Sequence, residues 1–174
     1  MNQGKDTILL VQSVDAALAS QGLVMGHLTE NSYSIENDVI DESTKFGRIV
    51  GYGQNSESFE FTAFGDSKDP GQKATLDAIK NKKQLKIWEV DINLNDAGKH
   101  DAVFAYVIVE NVEKSNPQDG FVEFSSTVQV IGSTQEGTID ALPPEVIAFA
   151  QYGFEAPGAA TGEFPDQTTE PVVP

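Results

Sequence analysis

The chain has 174 residues, a length that suits one domain with extensions, and 39% of its residues are apolar. It contains no cysteine, which excludes disulfides and thiolate metal sites. The formal net charge of −16 argues against sequence-independent binding of nucleic acid, because that binding needs a basic surface. The longest apolar run, residues 102–109, is far too short to cross a membrane as a helix.

The few positive charges are clustered. Six of the eleven Lys and Arg residues surround one predicted helix, and none follows Lys114, whereas nine acidic residues do. Two interpretations stay open. The chain is either an ordinary solvated acidic protein with one basic helix end, or a module whose complementary ends meet in an assembly.

The first part of the chain predicts short strands around one long irregular segment. Residues 7–13 predict an apolar strand, and residues 23–34 predict a second strand with imperfect alternation. Residues 35–56 show little periodicity, which predicts a long loop. The loop is expected to dock on something else, because it carries a few apolar residues, namely Val39, Ile40, Phe46, Ile49, Val50 and Tyr52. Residues 58–64 alternate cleanly between apolar and polar side chains, as a strand with one buried face does.

A single helix is predicted next. Asp69 suits the N-cap, Pro70 suits the first helical position, and Gln72 completes a capping-box-like pattern. Leu76 and Ile79 lie on one helical face, with Thr75 and Ala78 as their small neighbours, which predicts a narrow apolar stripe.

The rest of the chain predicts further strands. Residues 88–94 alternate, with Trp88 on the apolar face, and residues 95–98 predict a turn. Residues 102–112 are apolar on both faces, as in a strand that is covered on both sides. Residues 121–131 predict a strand with one buried face.

The C-terminal part predicts one short helix and a tail. Residues 143–151 predict a helix that begins at a Pro-Pro-Glu sequence. Residues 156–174 are rich in Pro, Gly, Thr and acidic residues, which predicts a flexible acidic tail. We therefore expect one domain over residues 1–155 and the tail over residues 156–174.

The sequence contains one partial match to a calcium-binding loop. Asp91, Asn93 and Asn95 occupy the first three ligand positions of a calcium loop, but Asp96 replaces the required glycine and Ala102 replaces the bidentate glutamate. These residues therefore predict a hairpin turn rich in Asp and Asn.

No catalytic or cofactor signature is found. The Gly65–Lys73 segment lacks the spacing of a phosphate loop, so helix capping is the preferred interpretation. His27 and His100 have no visible partner and predict ordinary positions on the surface or in strands. We expect neither an enzyme nor a bound cofactor or metal.

The polar faces of two predicted strands are more informative. They are hydrophilic and carry no basic residue, which fits either an ordinary solvent face or a sheet that lines a wet channel. Their polar residues are Ser58, Glu60, Thr62, Glu123, Ser125, Thr127 and Gln129.

Several stretches together resemble the major tail, or tail tube, proteins of long-tailed non-contractile bacteriophages, particularly the lactococcal-phage type. The stretches are Asn-Gln-Gly-Lys-Asp-Thr-Ile-Leu-Leu at the start, Lys-Ile-Trp-Glu-Val-Asp at the centre, and the strand Gly-Phe-Val-Glu-Phe-Ser-Ser-Thr-Val-Gln-Val-Ile-Gly. A late helix before an acidic, Thr- and Pro-rich tail completes the pattern.

The resemblance implies a mainly β fold, an antiparallel β-sandwich with one flanking helix. It implies that six subunits close into a ring, that the joined inner sheets form a barrel, and that rings stack into a tube. The implied partners are the subunit itself, the tape measure protein, the tail terminator and distal tail proteins, and DNA that passes without specific binding. The implied location is the virion tail, with the host cytoplasm as the site of assembly, and no membrane is involved.

Two sets of residues follow from combining the resemblance with the polar strand faces. The hypothesis places four side chains on the wall of the lumen, Glu60, Glu123, Thr127 and Gln129. It also gives the loop between Ile35 and Ser56 the role of bridging rings, with the polar residues Asp38, Asp41, Glu42, Lys45 and Arg48.

The alternative is a stand-alone β-sandwich module that binds carbohydrate or protein. Such modules usually display exposed aromatic side chains, whereas Trp88 and most Phe residues are predicted to lie on buried strand faces. Self-association separates the two hypotheses, because a binding module stays monomeric at high concentration.

Overall fold

The computed structural model describes residues 4–18, 20–143 and 146–147. A 3-10 turn at Gly4–Asp6 is followed by eight strands and one helix. In chain order they are β1 (Thr7–Ser13), β2 (Leu23–Val24), β3 (Leu28–Thr44), β4 (Gly47–Phe64), α1 (Pro70–Asn81), β5 (Gln84–Leu94), β6 (Lys99–Ser115), β7 (Glu123–Val130) and β8 (Gln135–Asp140). Among the described residues, no helix has both the length and the apolar character needed to span a bilayer.

All eight strands belong to one antiparallel sheet with the order β2-β1-β5-β6-β7-β4-β3. The long strand β6 has two partners on one edge, because β8 pairs with its residues 99–104 and β7 pairs with its residues 107–115. This arrangement confirms the predicted mainly β, antiparallel fold with one helix.

The two edges of the sheet are joined by only three residues, Met25 to His27, which separate β2 from β3. Met25 N donates to Leu9 O on one edge at 2.9 Å, and Phe64 N donates to His27 O near the other edge at 3.0 Å. Because so short a connection cannot span a flat seven-strand sheet, the sheet must curl towards closure.

The main core fills the inside of this curled sheet. Phe59, Phe61 and Ala63 of β4 are buried, and so are Phe124 and Val128 of β7. The alternation predicted for both strands is therefore confirmed. The same cluster includes buried residues from four other elements, namely Leu9, Val11, Ala78, Leu85, Ile87, Ala105, Val107 and Val109.

The helix begins as predicted, with an extended Asp69 at the N-cap. Asp69 Oδ1 accepts from Gln72 N at 2.8 Å, and Oδ2 accepts from Gly26 N at 2.7 Å. Both oxygens accept hydrogen bonds, as an ionised carboxylate does, although burial raises the pKa of Asp69. The Gln72 side chain does not complete a capping box, because it contacts Asp66 N and Phe64 O instead.

The buried side of the helix coincides only in part with the predicted stripe, since Thr75 and Ala78 are buried and Ile79 packs against the main core. Leu76 and Ile79 are only half-buried, whereas Gly71, Thr75 and Ala78 form the buried side. The cause is the close approach of the helix to the connection between β2 and β3. A Cβ atom on Gly71 would lie 2.7 Å from the carbonyl oxygen of Val24, so only small residues fit there.

The opposite face of β1, β5 and β6 carries a second, smaller apolar cluster. Ile8, Leu10, Val90 and Ala102 are buried there, with Trp88 packed beside them. Ile139 at the end of β8 packs against this cluster, and so do Leu142 and Val146. Sequence patterns did not predict β8.

Strand β6 is not covered on both sides as predicted. Ala105, Val107 and Val109 point into the main core, but Tyr106 and Ile108 on the other face remain 42% and 53% exposed. The strand also continues to Ser115, beyond its predicted end.

The prediction of a long irregular loop over residues 35–56 is also wrong. These residues extend β3 and β4 into a continuous antiparallel hairpin whose last pair is Thr44 with Gly47. Both faces of this hairpin are exposed, so no hydrophobic alternation marks it as a strand. The strand predicted over residues 23–34 is interrupted at residues 25–27, where His27 has a φ of 54°.

Two predictions for the C-terminal part lie largely or wholly outside the described residues. Of the helix predicted over residues 143–151, the structure assigns helical conformation at residues 146–147, with Val146 N donating to Pro143 O at 3.0 Å. The flexible tail over residues 156–174 lies outside the described residues entirely and stays a prediction.

Candidate assembly surfaces

The four residues predicted to line a lumen lie on one surface of the molecule. Glu60 pairs with Thr127, while Ser58 pairs with Gln129 and Phe64 with Glu123. Because Phe59, Phe61, Phe124 and Val128 point into the core, these polar side chains point the other way. Glu60, Glu123 and Gln129 are exposed, and Thr127 is half-buried.

Strands β3 and β6 widen this surface on both sides. The register places Glu30 beside Thr62, Ser32 beside Glu60, Asn111 beside Thr127 and Glu113 beside Ser125. We call the resulting four-strand surface the acidic face, made of Glu30, Ser32, Ser58, Glu60, Thr62, Asn111, Glu113, Glu123, Ser125, Thr127 and Gln129. None of these positions carries a lysine or arginine.

The centre of the acidic face is a shallow depression of about 280 Å³. Glu30, Glu60 and Glu113 all line it, together with hydroxyl and amide side chains. Three carboxylates around a water-accessible hollow give this surface a negative potential that repels other anions.

Glu30 and Glu113 were missed by the sequence analysis. Glu30 was assigned to a strand, but its register beside β4 depends on a bulge after Leu28 that sequence does not reveal. Glu113 lies in the continuation of β6, past the end predicted for that strand. The change from apolar to acidic residues after Val112 was the available signal.

The second surface is the hairpin itself. We call residues 35–56 the arm, because they extend beyond Ser58, the last residue of β4 that pairs with β7. The polar residues that were predicted to bridge rings all lie on it. Asp38 lies at a bulge, Glu42 pairs with Ile49, and Lys45 lies in the turn.

Asp41 and Arg48 form a bidentate ion pair across the arm. Arg48 Nε donates to Asp41 Oδ1 at 2.8 Å, and Arg48 Nη2 donates to Oδ2 at 2.6 Å. This pairing lowers the pKa of Asp41. Since the pair is exposed to solvent, it orients the two side chains more than it stabilises the fold.

Apolar side chains lie on both faces of the arm, and they are the residues from which docking was predicted. One face carries Val39, Val50 and Tyr52, and the other carries Ile40 and Ile49, all more than half exposed. At the tip, Phe46 is fully exposed, at 101% of its reference area. A two-stranded hairpin is at best marginally stable alone in water, and exposed apolar patches are typical of interaction surfaces, so the arm is a candidate docking surface.

The base of the arm is held by a buried carboxylate. Glu57 Oε2 accepts from Tyr33 Oη at 2.7 Å and from Thr134 N at 3.1 Å. Burial opposes ionisation of Glu57, but the hydrogen bonds from Thr134 and Tyr33 outweigh it and lower the pKa. The arm is therefore tied to the loop between β7 and β8.

A third surface lies beside the second apolar cluster. The rings of Trp88, Phe104 and Tyr106 form a row with centroids 5.2 Å and 5.1 Å apart. Next to Trp88 is an open groove of about 350 Å³ between β1 and the segment that covers the cluster. We call it the lateral groove, and Leu10, Gln12, Trp88, Ile139, Asp140 and Leu142 are among the residues that line it.

Aromatic side chains are thus less buried than predicted. Phe46, Phe121 and Tyr52 are largely exposed, at 101%, 77% and 89%, and Trp88 is only half-buried. Phe121 packs on Phe64, with a ring centroid distance of 5.4 Å.

The residues considered for metal and phosphate chemistry have structural roles. Asp91 Oδ1 accepts from Asn93 N at 2.9 Å, and Asn95 Oδ1 accepts from Ala97 N at 3.0 Å, as in a turn rich in Asp and Asn. Within the described part of the chain, no group of three or more His, Cys, Asp or Glu side chains is arranged to hold a metal ion. His27 is exposed, and His100 is buried in β6.

The amino-acid sequence of this chain is similar to those of known phage proteins. A family model described as phage tail tube protein matches residues 1–136. Tail tube protein gp17.1 of Bacillus phage SPP1 is 42% identical over 173 residues, which cover 98% of this chain. The chain spans 66% of the length of this relative.

Solved structures agree with the sequence comparison. The SPP1 tail tube structure, from solid-state NMR and cryo-EM, matches with a TM-score of 0.75 and 39% identity over 92% of this chain and 95% of that chain. The tail of an empty gene transfer agent particle, computed with C6 symmetry, matches with a TM-score of 0.59 and 15% identity over 78% of this chain and 98% of that chain. At that identity the second match shows the fold alone.

Proposed function

Because this chain belongs to the phage tail tube protein family, we propose that it is a structural subunit that closes into six-membered rings, which stack into a hollow tube. The acidic face carries the proposal. It is a broad, polar, anionic surface on one side of a sheet whose other side is core, as the wall of a water-filled channel requires.

In this arrangement the acidic face lines the lumen. Phosphate groups of DNA are repelled by Glu30, Glu60, Glu113 and Glu123, so DNA slides along the wall without adhering to it. No base-specific contact is needed, and the tube conducts DNA of any sequence.

The arm bridges successive rings. Stacking ring on ring is a head-to-tail contact, which produces open filaments rather than closed particles. The exposed apolar side chains of the arm are buried in that contact, which explains why a free-standing hairpin keeps them.

The remaining partners follow from the same assembly. The tube surrounds the tape measure protein before DNA passes, and its two ends meet the tail terminator and the distal tail proteins. The subunit is incorporated in the virion tail after assembly in the host cytoplasm.

Electron microscopy of the concentrated purified protein tests the assembly. Stacked rings with a central hole are expected, and end-on views give the symmetry directly. Small globular particles at every concentration, and an absence of the protein from isolated tails, would contradict the proposal. They would favour a monomeric module that binds carbohydrate or protein through its exposed aromatic side chains.

Charge reversal tests the lumen. Glu60→Lys and Glu123→Lys are expected to leave rings intact but to slow DNA ejection from virions, because lysines in the channel attract phosphates. The matched variants Glu60→Gln and Glu123→Gln remove charge without attracting DNA and are expected to have smaller effects. Normal ejection in both lysine variants would place the acidic face outside the lumen.

A further inference from the structure

The ring of Phe46, at the tip of the arm, is not covered by any of the residues that the structure describes. It lies in the turn between Thr44 and Gly47, where Thr44 Oγ1 accepts from Phe46 N at 3.2 Å, and its side chain is fully exposed. The turn holds the backbone, so the ring is presented outward at the far end of the arm. The two strands carry it roughly 35–40 Å beyond Ser58, the last residue of β4 that pairs with β7.

The lateral groove has the size and chemistry to receive such a ring. Its volume is about 350 Å³, whereas a cavity of about 150 Å³ suffices to bind benzene. Leu10, Trp88, Ile139 and Leu142 supply apolar walls, and Trp88 begins the aromatic row that continues through Phe104. A further ring beside Trp88 would extend this row with favourable ring contacts.

The charges at the two sites are complementary. Lys45 precedes Phe46 at the tip, and Asp140 lies at the groove. Asp140 is 90% exposed and reaches Lys99 Nζ at 2.9 Å, so it remains available to a second cation from solvent. Outside the arm, the exposed phenylalanines among the described residues are Phe64 and Phe121, which already pack on each other and have no adjacent cation in the sequence.

We propose that the lateral groove is the receptor for Phe46 of a second copy of this chain, so that each arm tip plugs into a subunit of the next ring. This assignment rests on the proposed stacking of rings, and it names the two surfaces that make the contact. A protruding apolar knob and a separate apolar socket on the same molecule make a heterologous contact that propagates without closing.

Photo-crosslinking locates the socket directly. Benzoylphenylalanine is placed at position 46, and the irradiated tubes are digested and analysed by mass spectrometry. Adducts between residue 46 of one copy and residues 139–142 or Trp88 of another are expected in tubes but not in dilute subunits. The same probe at position 121 is the matched control and is expected to give no adduct in the groove.

Substitutions test the contribution of the contact to assembly. Phe46→Ala is expected to raise the critical concentration for tube formation about 10- to 100-fold, as the loss of one buried aromatic side chain predicts, and Phe46→Leu much less. Ala141→Trp, at an exposed position lining the groove, is expected to block the socket with a similar effect. Unfolding curves of the isolated subunits confirm that each variant is folded.

The outcomes separate the two proposals. Tubes whose residue 46 crosslinks outside the groove, or whose formation is unaffected by Phe46→Ala, would overturn the socket and leave the tube intact. A chain that forms no rings or tubes, either at high concentration or within tails made in infected cells, would overturn the proposed function and the socket with it.

Discussion

The substitution Asp69→Asn tests whether the Asp69 carboxylate stabilises the fold by joining the start of α1 to the connection between β2 and β3. Its two oxygens each accept one backbone N–H, from Gln72 at 2.8 Å and from Gly26 at 2.7 Å. Asparagine has the same shape but only one acceptor oxygen. Whichever way the amide turns, one buried N–H group faces an NH2 donor.

The expected cost follows from this geometry. Losing a hydrogen bond to a charged acceptor and leaving a buried donor unpaired costs about 2–3 kcal/mol, and removing the buried charge returns a part of it. We expect a net loss of about 2 kcal/mol in the free energy of unfolding. With a urea dependence of about 2 kcal/mol per molar, the unfolding midpoint falls by about 1 M.

Urea unfolding of the dilute subunit, followed by fluorescence of the single tryptophan, measures this change. Asp66→Asn is the matched control. The Asp66 side chain accepts one exposed hydrogen bond, from Lys68 N at 2.8 Å, which asparagine can also accept. If Asp69→Asn shifts the unfolding midpoint no more than Asp66→Asn does, Gly26 N–H has another acceptor and the Asp69 carboxylate does not stabilise this contact.

Three further predictions concern the arm and the helix. The pKa of Glu57 in the folded subunit lies below its ordinary value of 4.5. The wild-type subunit should therefore be more stable than Glu57→Gln above pH 4.5, and this difference should vanish as the pH falls through the folded pKa. A difference in urea midpoints that does not change with pH would contradict this. Gly71→Ala should lower the free energy of unfolding by about 1–3 kcal/mol despite the better helix propensity of alanine, because its Cβ meets the Val24 carbonyl; a more stable variant in thermal unfolding would show that the helix can move away. Asp41→Asn and Arg48→Gln should leave the unfolding midpoint unchanged, because the ion pair between these two residues is exposed. A large shift of the midpoint in either variant would mean that the arm packs against the rest of the subunit.

Sequence patterns were reliable in β4 and β7, where one face of the strand is buried and the other is exposed to water. Phe59 and Phe61, like Phe124 and Val128, alternate with polar residues because the core removes every second side chain from water. The cap at Asp69 was equally readable, because the requirement for an acceptor at a helix N-terminus is local.

The arm was missed for the opposite reason. Neither face of the arm is buried within the subunit, so burial imposes no alternation of apolar and polar residues on residues 35–56. In addition, a bulge between Asn37 and Val39 shifts the pairing register of the two strands. Strand β8 escaped because its residues are mostly exposed, with Ile139 alone packing on the second cluster.

The buried side of the helix shows a different limit. Apolar size predicted Leu76 and Ile79, but close packing against the chain at Val24 selects small residues instead. Similarly, the sequence predicted only part of the acidic face. Glu30 and Glu113 belong to it because of strand pairings that the local sequence does not reveal. Its four predicted members do share one surface, while its position in a lumen stays a proposal.

The order of the strands also constrains how the chain folds as it is synthesised. Strand β1 is made first, yet its partner β5 lies beyond the arm and the helix, so its apolar residues wait for a distant strand. The pairing of β3 with β4 is entirely local and starts from the turn at Phe46, so it can zip up within microseconds once both strands have emerged. Completion of the curled sheet needs β7 (Glu123–Val130), because this strand joins β6 to β4, and such distant contacts form slowly. In a nascent subunit the strands of the arm can therefore pair before the curled sheet that carries them is complete.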